Sequence, residues 1–232
     1  MKVIIAARMS SSRLPGKALL PIYEQLSMLD VLAHRINQAK FISGIILATS
    51  DNKSDDPLVS WAVKNNVQIF RGSLDDVLGR LSGCIKYFEL DNFVEILGDN
   101  PLVDPNDIDL CIKSFNTKLY DYVATSTTEY DYAINEMSYP VGVRVQCMKS
   151  DLIHNAARDL LDPHSREHSS SFIYHSDNIY KTKLINYPHP VIKDAFKLNL
   201  AVNTSSDFTR TAEVLKACGL NASLNEILTY LN

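Results

Sequence analysis

The chain is short of the features that mark most other functional classes. It has four cysteines in 232 residues, Cys84, Cys111, Cys147 and Cys218, and no CxxC pair. Scattered thiols in apolar surroundings exclude a disulfide framework and read as buried free cysteines of a reducing cytoplasm. There is no excess of positive charge: 23 Lys and Arg against 27 Asp and Glu leave a net charge of −4. An extended nucleic-acid surface needs a basic stripe, so that class is excluded too. No apolar run reaches membrane-spanning length, and the short one before Arg8 is too brief for a signal peptide. Repeats, low-complexity tracts and Pro/Gly/Ser linkers are also lacking. What remains is a cytoplasmic globular chain long enough for one large domain, with no nucleic-acid or membrane partner.

What is present is a regular alternation of apolar strands and capped helices. Strands are expected at 2–7, 44–49, 67–70 and 93–97, and helices at 28–40, 56–65, 73–90 and 104–115. Ser27 and Asp104 sit at N-cap positions, Pro57 and Pro105 at the first helical position, and Ser73 to Asp76 resembles a capping box. This order implies an α/β fold, a mostly parallel central sheet with helices on both faces. Further strands are expected at 120–126, 181–186 and 197–202, with an extended segment at 141–148 and a polar, tyrosine-rich loop or short hairpin arm at 129–139. Ser150 is expected to cap a helix to 161, a helix covers 164–175, and two more follow, 204–217 ending at Gly219 and one opened by the box Ser223 to Glu226.

In such a sheet ligands bind beyond the carboxyl ends of the strands, where Arg8, Ser50, Arg71 and Asp99 fall. The stretch from Ala6 through Lys17 follows the first strand and combines Ser10, Ser11, Ser12 and Gly16 with the cations Arg8, Arg13 and Lys17. Small residues let backbone N–H groups approach an anion, and the cations suit phosphate oxygens. The plain reading is a solvated basic turn; the stretch fits neither the P-loop nor the GxGxxG pattern. Asp99 at a strand end suits Mg²⁺, which takes few protein oxygens, but also suits a turn cap. His164 and His168 share a helix face without HExxH or a third ligand; His34 and His154 read as surface or interface residues of their helices.

Ala7-Arg8-Met9-Ser10-Ser11-Ser12-Arg13-Leu14-Pro15-Gly16-Lys17 resembles the signature loop of bacterial cytidylyltransferases of the spore-coat polysaccharide type, relatives of the CMP-Kdo and CMP-acylneuraminate synthetases. Further blocks follow in the family's order: Ala48-Thr49-Ser50, Asp55-Asp56, Arg71-Gly72-Ser73-Leu74-Asp75-Asp76-Val77-Leu78, Gly98-Asp99-Asn100-Pro101-Leu102, Arg166-Glu167-His168 and Leu200-Ala201-Val202-Asn203-Thr204. The resemblance implies a Rossmann-like nucleotidyltransferase fold with a nucleotide-binding core at 1–126, an acceptor-side insertion at 127–196 and a late strand with C-terminal helices at 197–232. It implies CTP and a small-molecule acceptor as partners, Mg²⁺ as cofactor, and admits a homodimer. Arg8, Arg13 and Lys17 take the catalytic role; Ala6, Ala7, Ser12, Ser50, Arg71 and Ser73 join Arg8, Lys17 and Asp99 at the nucleotide; Asp99 and Asn203 fall at the metal. Arg144, Gln146, Arg166 and His168 fall on the acceptor side.

Two departures stand out. The family's Asp-x-Glu is here Arg144-Val145-Gln146, and its late Leu-x-Val-Asp ends here in Asn203. Both make the crevice more positive, which suits a more anionic acceptor or weakens the metal site. Two alternatives stand beside this reading: a nucleotide-sugar glycosyltransferase, which shares the strand-helix core but would carry a DxD motif that Gly98-Asp99-Asn100-Pro101 lacks, and a catalytically impaired nucleotide-binding or scaffold protein, which Gln146 and Asn203 motivate.

Overall fold

The structure is a computed structural model that describes residues 1–128, 137–175, 180–187 and 194–232. A seven-stranded sheet runs in the order β5-β4-β1-β6-β8-β7-β9, formed by β1 (Lys2–Ala6), β4 (Gly44–Ser50), β5 (Gln68–Gly72), β6 (Asn92–Leu97), β7 (Tyr122–Thr125), β8 (Gln146–Lys149) and β9 (Thr182–Ile185). Strand β1 pairs in parallel with β4 and β6, β4 with β5, and β7 with β9, while β8 runs antiparallel between β6 and β7. A small hairpin, β2 (Pro21–Tyr23) with β3 (Leu26–Ser27), leads into the first helix.

Because side chains alternate across a strand, β1 feeds two cores. Val3 and Ile5 join Leu29, Leu32 and Ile36 of α1 (Met28–Asn37), Leu58 and Trp61 of α2 (Asp56–Lys64), and Ile108 and Ile112 of α4 (Pro105–Phe115). Ile4 faces the other way, onto Leu78, Leu81 and Ile85 of α3 (Val77–Tyr87) and Leu152 and Ile153 of α5 (Ser150–Asp159). Val3, Ile4 and Ile5 are fully buried, each contributing roughly 1.5–3 kcal/mol of transfer free energy. A third cluster gathers Ile22 of the hairpin, Met28 and Val31, and Val214, Leu215, Leu224 and Ile227 of α8 (Ser205–Cys218) and α9 (Leu224–Tyr230).

Four local expectations are corrected. Helix α3 starts at Val77, not Ser73: Asp76 is its cap, accepting from the Gly79 amide, and the Ser73 hydroxyl accepts from the Asp76 amide one turn earlier. Ser150 is the first residue of α5 and not its cap; its hydroxyl donates to the Leu90 carbonyl. The helix expected over 164–175 is two, α6 (Pro163–Glu167) and α7 (Ser171–His175). The break falls where the Ser169 hydroxyl donates to buried Glu95 on β6, so satisfying a buried carboxyl outweighs helix continuity. Residues 197–202 form no strand; one bridge from Asn199 to Val141 is made, and Leu198, Leu200 and Val202 pack into the third cluster instead. Of the loop expected at 129–139, residues 129–136 lie outside the described residues.

Candidate active site

A cleft of about 360 Å³ opens at the carboxyl ends of β1 and β6. Its floor is made by close approach of two strand ends: a Cβ on Gly98 would lie 2.8 Å from the Ala6 carbonyl oxygen and the Ala7 Cβ, so only glycine fits there. The loop after β1 folds back on itself when the Gly16 amide donates to the Met9 carbonyl at 2.9 Å, with Gly16 at φ 72°. Ser12 and Arg13 line the cleft, and their amides make no hydrogen bond within the described residues. A loop that leaves consecutive N–H groups unpaired beside cations is suited to an anion.

The loop is anchored from below by Asp55, which is fully buried. Its carboxylate accepts from the Met9 amide at 2.7 Å, the Thr49 hydroxyl at 3.0 Å, and the Ser50 amide and hydroxyl. Burial alone would raise this carboxyl; the bonds from Ser50, Met9 and Thr49 outweigh it, and its pKa is held below the ordinary value. Asp55 thus ties the loop to the end of β4.

Three oxygens surround the Lys17 ammonium: the Val202 carbonyl at 2.6 Å, Asp99 Oδ2 at 3.2 Å and Asn203 Oδ1 at 3.2 Å. Arg13 also donates to Asn203 Oδ1, at 3.0 Å. The side chain of Asn203 therefore faces the cleft, and helix α8 is capped instead by Thr204, with Asp207 completing the box. Carboxylate, carbonyl and amide oxygens around one cation are a hard-oxygen donor set, which a divalent ion of the magnesium type also takes. Among the described residues no group of three His, Cys, Asp or Glu side chains could hold a metal. The rings of His164 and His168 lie 4.6 Å apart.

The opposite wall comes from Gln146 and from the turn between α6 and α7, with Glu167, His168, Ser169 and Ser170. Arg8 reaches Glu167 at 3.3 Å, a solvent-exposed pair worth little by itself. His168 is shifted toward the neutral form by burial and by the neighbouring His164. Behind this wall lies a buried polar network. Gln146 donates to Glu95 at 3.2 Å and accepts from the Tyr122 hydroxyl at 2.7 Å, and Arg144 donates to that hydroxyl at 2.9 Å. Burial pushes the Glu95 carboxyl up, against smaller opposing effects of the Ser169 bond and the Arg144 charge.

The cleft thus brings together Ala6, Ala7, Arg8, Ser12, Arg13, Lys17, Asp99, Gln146, His168 and Asn203. Five other residues singled out from the sequence do not line it. Ser50 is buried on Asp55. Arg71 donates to the Ser50 and Asn52 carbonyls and to Asp56 Oδ1, at 2.7–2.8 Å. Ser73 braces the start of α3, Arg144 lies in the network behind Gln146, and Arg166 clamps α6 to Asp76 and the Ala157 carbonyl. Conversely, Arg80 and Ser169 line the cleft and were not expected there, and neither was the buried Glu95 behind it, which accepts from Ser169. A lone carboxylate inside the apolar run 93–97 was a legible signal for Glu95.

Comparison with known proteins supplies the context for this geometry. A family model described as cytidylyltransferase matches residues 2–181. The spore coat polysaccharide biosynthesis protein SpsF of Bacillus subtilis is 29% identical over 236 aligned residues, covering 99% of this chain and 92% of that protein. A cytidylyltransferase structure from Leptospira borgpetersenii superposes with a TM-score of 0.86 at 24% identity, covering 99% of this chain and 92% of the other. The structure of CMP:2-keto-3-deoxy-manno-octonic acid synthetase complexed with CTP superposes with a TM-score of 0.65 at 16% identity, covering 93% and 98%. At these identities the two structures speak to the fold.

Proposed function

The chain belongs to the cytidylyltransferase family and is a CTP-dependent nucleotidyltransferase, and from that premise we propose that it transfers CMP to an anionic sugar acid or phosphorylated small molecule. An acceptor oxygen attacks the α-phosphorus of CTP in line, the bond to the β-phosphate oxygen breaks, and pyrophosphate leaves. The observation that carries this reading is the Lys17 ammonium held among Asp99, Val202 and Asn203 in a cleft that also holds Arg8 and Arg13.

Each residue has a distinct task. Lys17 and Arg13 neutralise the charge that builds on the leaving pyrophosphate, helped by the amides of Ser12 and Arg13; stabilising developing charge in this way is the main catalytic device open to such a site. Asp99, with the amide oxygen of Asn203, would hold Mg²⁺. When bound, the metal supplies Lewis-acid polarisation of the phosphoryl oxygens. Ser50, Arg71 and Ser73 act from behind the cleft by fixing the turns that frame the nucleoside. Gln146 and His168 face the acceptor, while Arg144 and Arg166 hold that wall in place. The reaction belongs to the cytoplasm. The part of the Bacillus relative in spore coat polysaccharide biosynthesis supports a product destined for surface polysaccharide.

The deciding experiment is pyrophosphate release from CTP across sugar acids, phosphosugars and phosphorylated amino acids, beside titration calorimetry with CTP and Mg²⁺. Binding without release for every acceptor would favour the impaired-scaffold reading, which Gln146 and Asn203 motivate.

A further inference from the structure

Two of the three oxygens that hold the Lys17 ammonium sit on the span 198–203, which lies just before α8 and outside any helix or strand. One side of this span is pressed against another stretch of backbone. A Cβ on Gly142, at φ 90°, would lie 2.0 Å from the Ala201 nitrogen and 2.4 Å from the Leu200 carbonyl carbon. The Leu200 amide donates to the Val141 carbonyl at 2.7 Å and the Val141 amide to the Leu198 carbonyl at 3.1 Å. Nearer the cleft, the Val202 amide donates to the Asp99 carbonyl at 2.9 Å.

Side chains of α8 hold the span at both ends. Asp207 Oδ2 accepts from the Asn203 amide at 3.1 Å and the Thr204 amide at 2.9 Å, which fixes the end nearer the helix. Arg210, one turn further along α8, holds the other end: its Nη2 donates to the Asn199 carbonyl at 2.5 Å and to Asp207 Oδ1 at 3.1 Å. Asn199 Oδ1 in turn accepts from the Ala201 amide at 2.9 Å. The chain is thus closed into a ring that runs from Asn199 through Asn203 and Asp207 to Arg210 and back. The Arg210 side chain is 40% exposed and stands outside the cleft. An exposed ion pair with Asp207 is worth little by itself; the charge-assisted bond from the same nitrogen to the Asn199 carbonyl is what closes the ring.

Resting on the assignment of Lys17 to the triphosphate, we propose that Arg210 is a positioning residue for Lys17. It acts through the ring, which sets the Val202 carbonyl and the Asn203 amide oxygen where they aim the ammonium into the cleft. A cation held in place before the substrate arrives costs less ordering entropy on binding than one that must first be fixed. Without Arg210 the outer side of 199–201 can move off Gly142, and Lys17 loses the alignment of two of its three oxygens.

The test compares wild type, Arg210→Met, Asn199→Ala, Lys17→Met and the double variant Lys17→Met with Arg210→Met. Trace acetylation by acetic anhydride, read at Lys17 by mass spectrometry, reports how firmly the ammonium is held without any ligand. Titration calorimetry with inorganic tripolyphosphate reports what that hold does for an anion. Thermal unfolding shows whether each variant is folded; Asn199→Ala removes only the brace on the Ala201 amide, at an exposed residue, and keeps the test open if Arg210→Met does not fold. Lys17 in Arg210→Met should be acetylated at least about threefold faster than in wild type, and tripolyphosphate should bind about three- to tenfold more weakly. Asn199→Ala should show a smaller change in the same direction. Loss of a nearby positive charge by itself raises a lysine pKa and would slow acetylation, so faster labelling separates positioning from charge. In the Lys17→Met background the further loss on Arg210→Met should be less than about twofold. An equal loss in both backgrounds would make Arg210 a remote charge or a support of the fold and overturn the proposal. Unchanged Lys17 labelling in folded Arg210→Met would overturn it as well. Faster labelling combined with equal tripolyphosphate affinity in wild type and Lys17→Met would support the positioning role and remove the triphosphate assignment of Lys17 instead.

Discussion

Replacing Lys17 by methionine keeps the length of the side chain and deletes its charge. In the folded protein the ammonium is held by three oxygens at 2.6–3.2 Å, and its side chain is 13% exposed against 25% for Asp99. A charge-assisted bond of this kind is worth about 1.5–3 kcal/mol where it is well shielded. Asp99 can rehydrate, so the stability loss should be nearer 1–2 kcal/mol, or roughly 2–8 °C in Tm for a chain of this size. The effect on turnover should be larger. A cation that tightens on the leaving pyrophosphate contributes about 2–4 kcal/mol to the transition state, so pyrophosphate release should fall about 10²–10³-fold at saturating substrates. A third consequence follows from the ammonium's position. A cation entering between Asp99 and Asn203 without nucleotide meets Lys17 there; two unit charges about 4 Å apart repel by about 4 kcal/mol at an effective dielectric of 20. Keeping only part of that for a half-open site, nucleotide-free Mn²⁺ should bind Lys17→Met at least about tenfold more tightly than wild type. Mn²⁺ titration followed by electron paramagnetic resonance reads the last effect, and a coupled pyrophosphate assay the second. Superimposable Mn²⁺ curves together with unchanged release would refute both roles of Lys17.

Asn203→Asp places a carboxylate beside Asp99 and should lower the Mg²⁺ concentration needed for half-maximal rate; a raised acceptor KM with an unchanged magnesium curve would mean that the acceptor's own anion faces this position. Asp55→Asn leaves an amide NH₂ facing donors from Met9, Thr49 and Ser50, so a loss of roughly 3 kcal/mol and collapse of nucleotide binding are expected by thermal unfolding and calorimetry. Since Asp55 is held below its ordinary pKa in the fold, its contribution is present above about pH 4 and lost as pH falls further. Asp107 behaves oppositely: burial first, and Asp104 second, raise its pKa to about 7. Its stabilising effect is therefore complete below about pH 4 and lost as pH rises toward 7. Asp107→Asn, which keeps an acceptor for the Tyr139 hydroxyl, should be more stable than wild type at pH 8 by about 2–4 kcal/mol and flatten the pH profile of Tm between 4 and 7. Equal Tm values for both proteins at pH 8 would contradict this.

The fold was legible where local chemistry and tertiary packing agree. Ser27, Asp104 and Ser223 occupy cap positions in the sequence and cap helices in the structure. The unbroken run Val3-Ile4-Ile5 marks a strand covered on both faces, and it is one. The cationic side of the cleft was legible for a similar reason, because Arg8, Arg13 and Lys17 lie in one continuous loop. The remaining walls were not. Arg71 and Arg80 belong to one block and look equivalent in sequence; the strand-to-helix turn at 72–76 turns Arg71 onto Ser50, Asn52 and Asp56 and leaves Arg80 in the cleft. The break between α6 and α7 depends on a carboxylate more than seventy residues away, Glu95, bound by Ser169. Periodicity sees apolar spacing within one segment, so it could not anticipate either outcome.

The most direct measurement is pyrophosphate release with Mg²⁺ and a panel of anionic sugar acceptors, run in parallel with CTP and UTP on wild type and Lys17→Ala. Release from CTP should exceed that from UTP by tenfold or more with at least one acceptor, and should drop about 10²–10³-fold in Lys17→Ala. Equal rates with the two nucleotides, or release that survives loss of Lys17, would contradict cytidylyl transfer at this cleft.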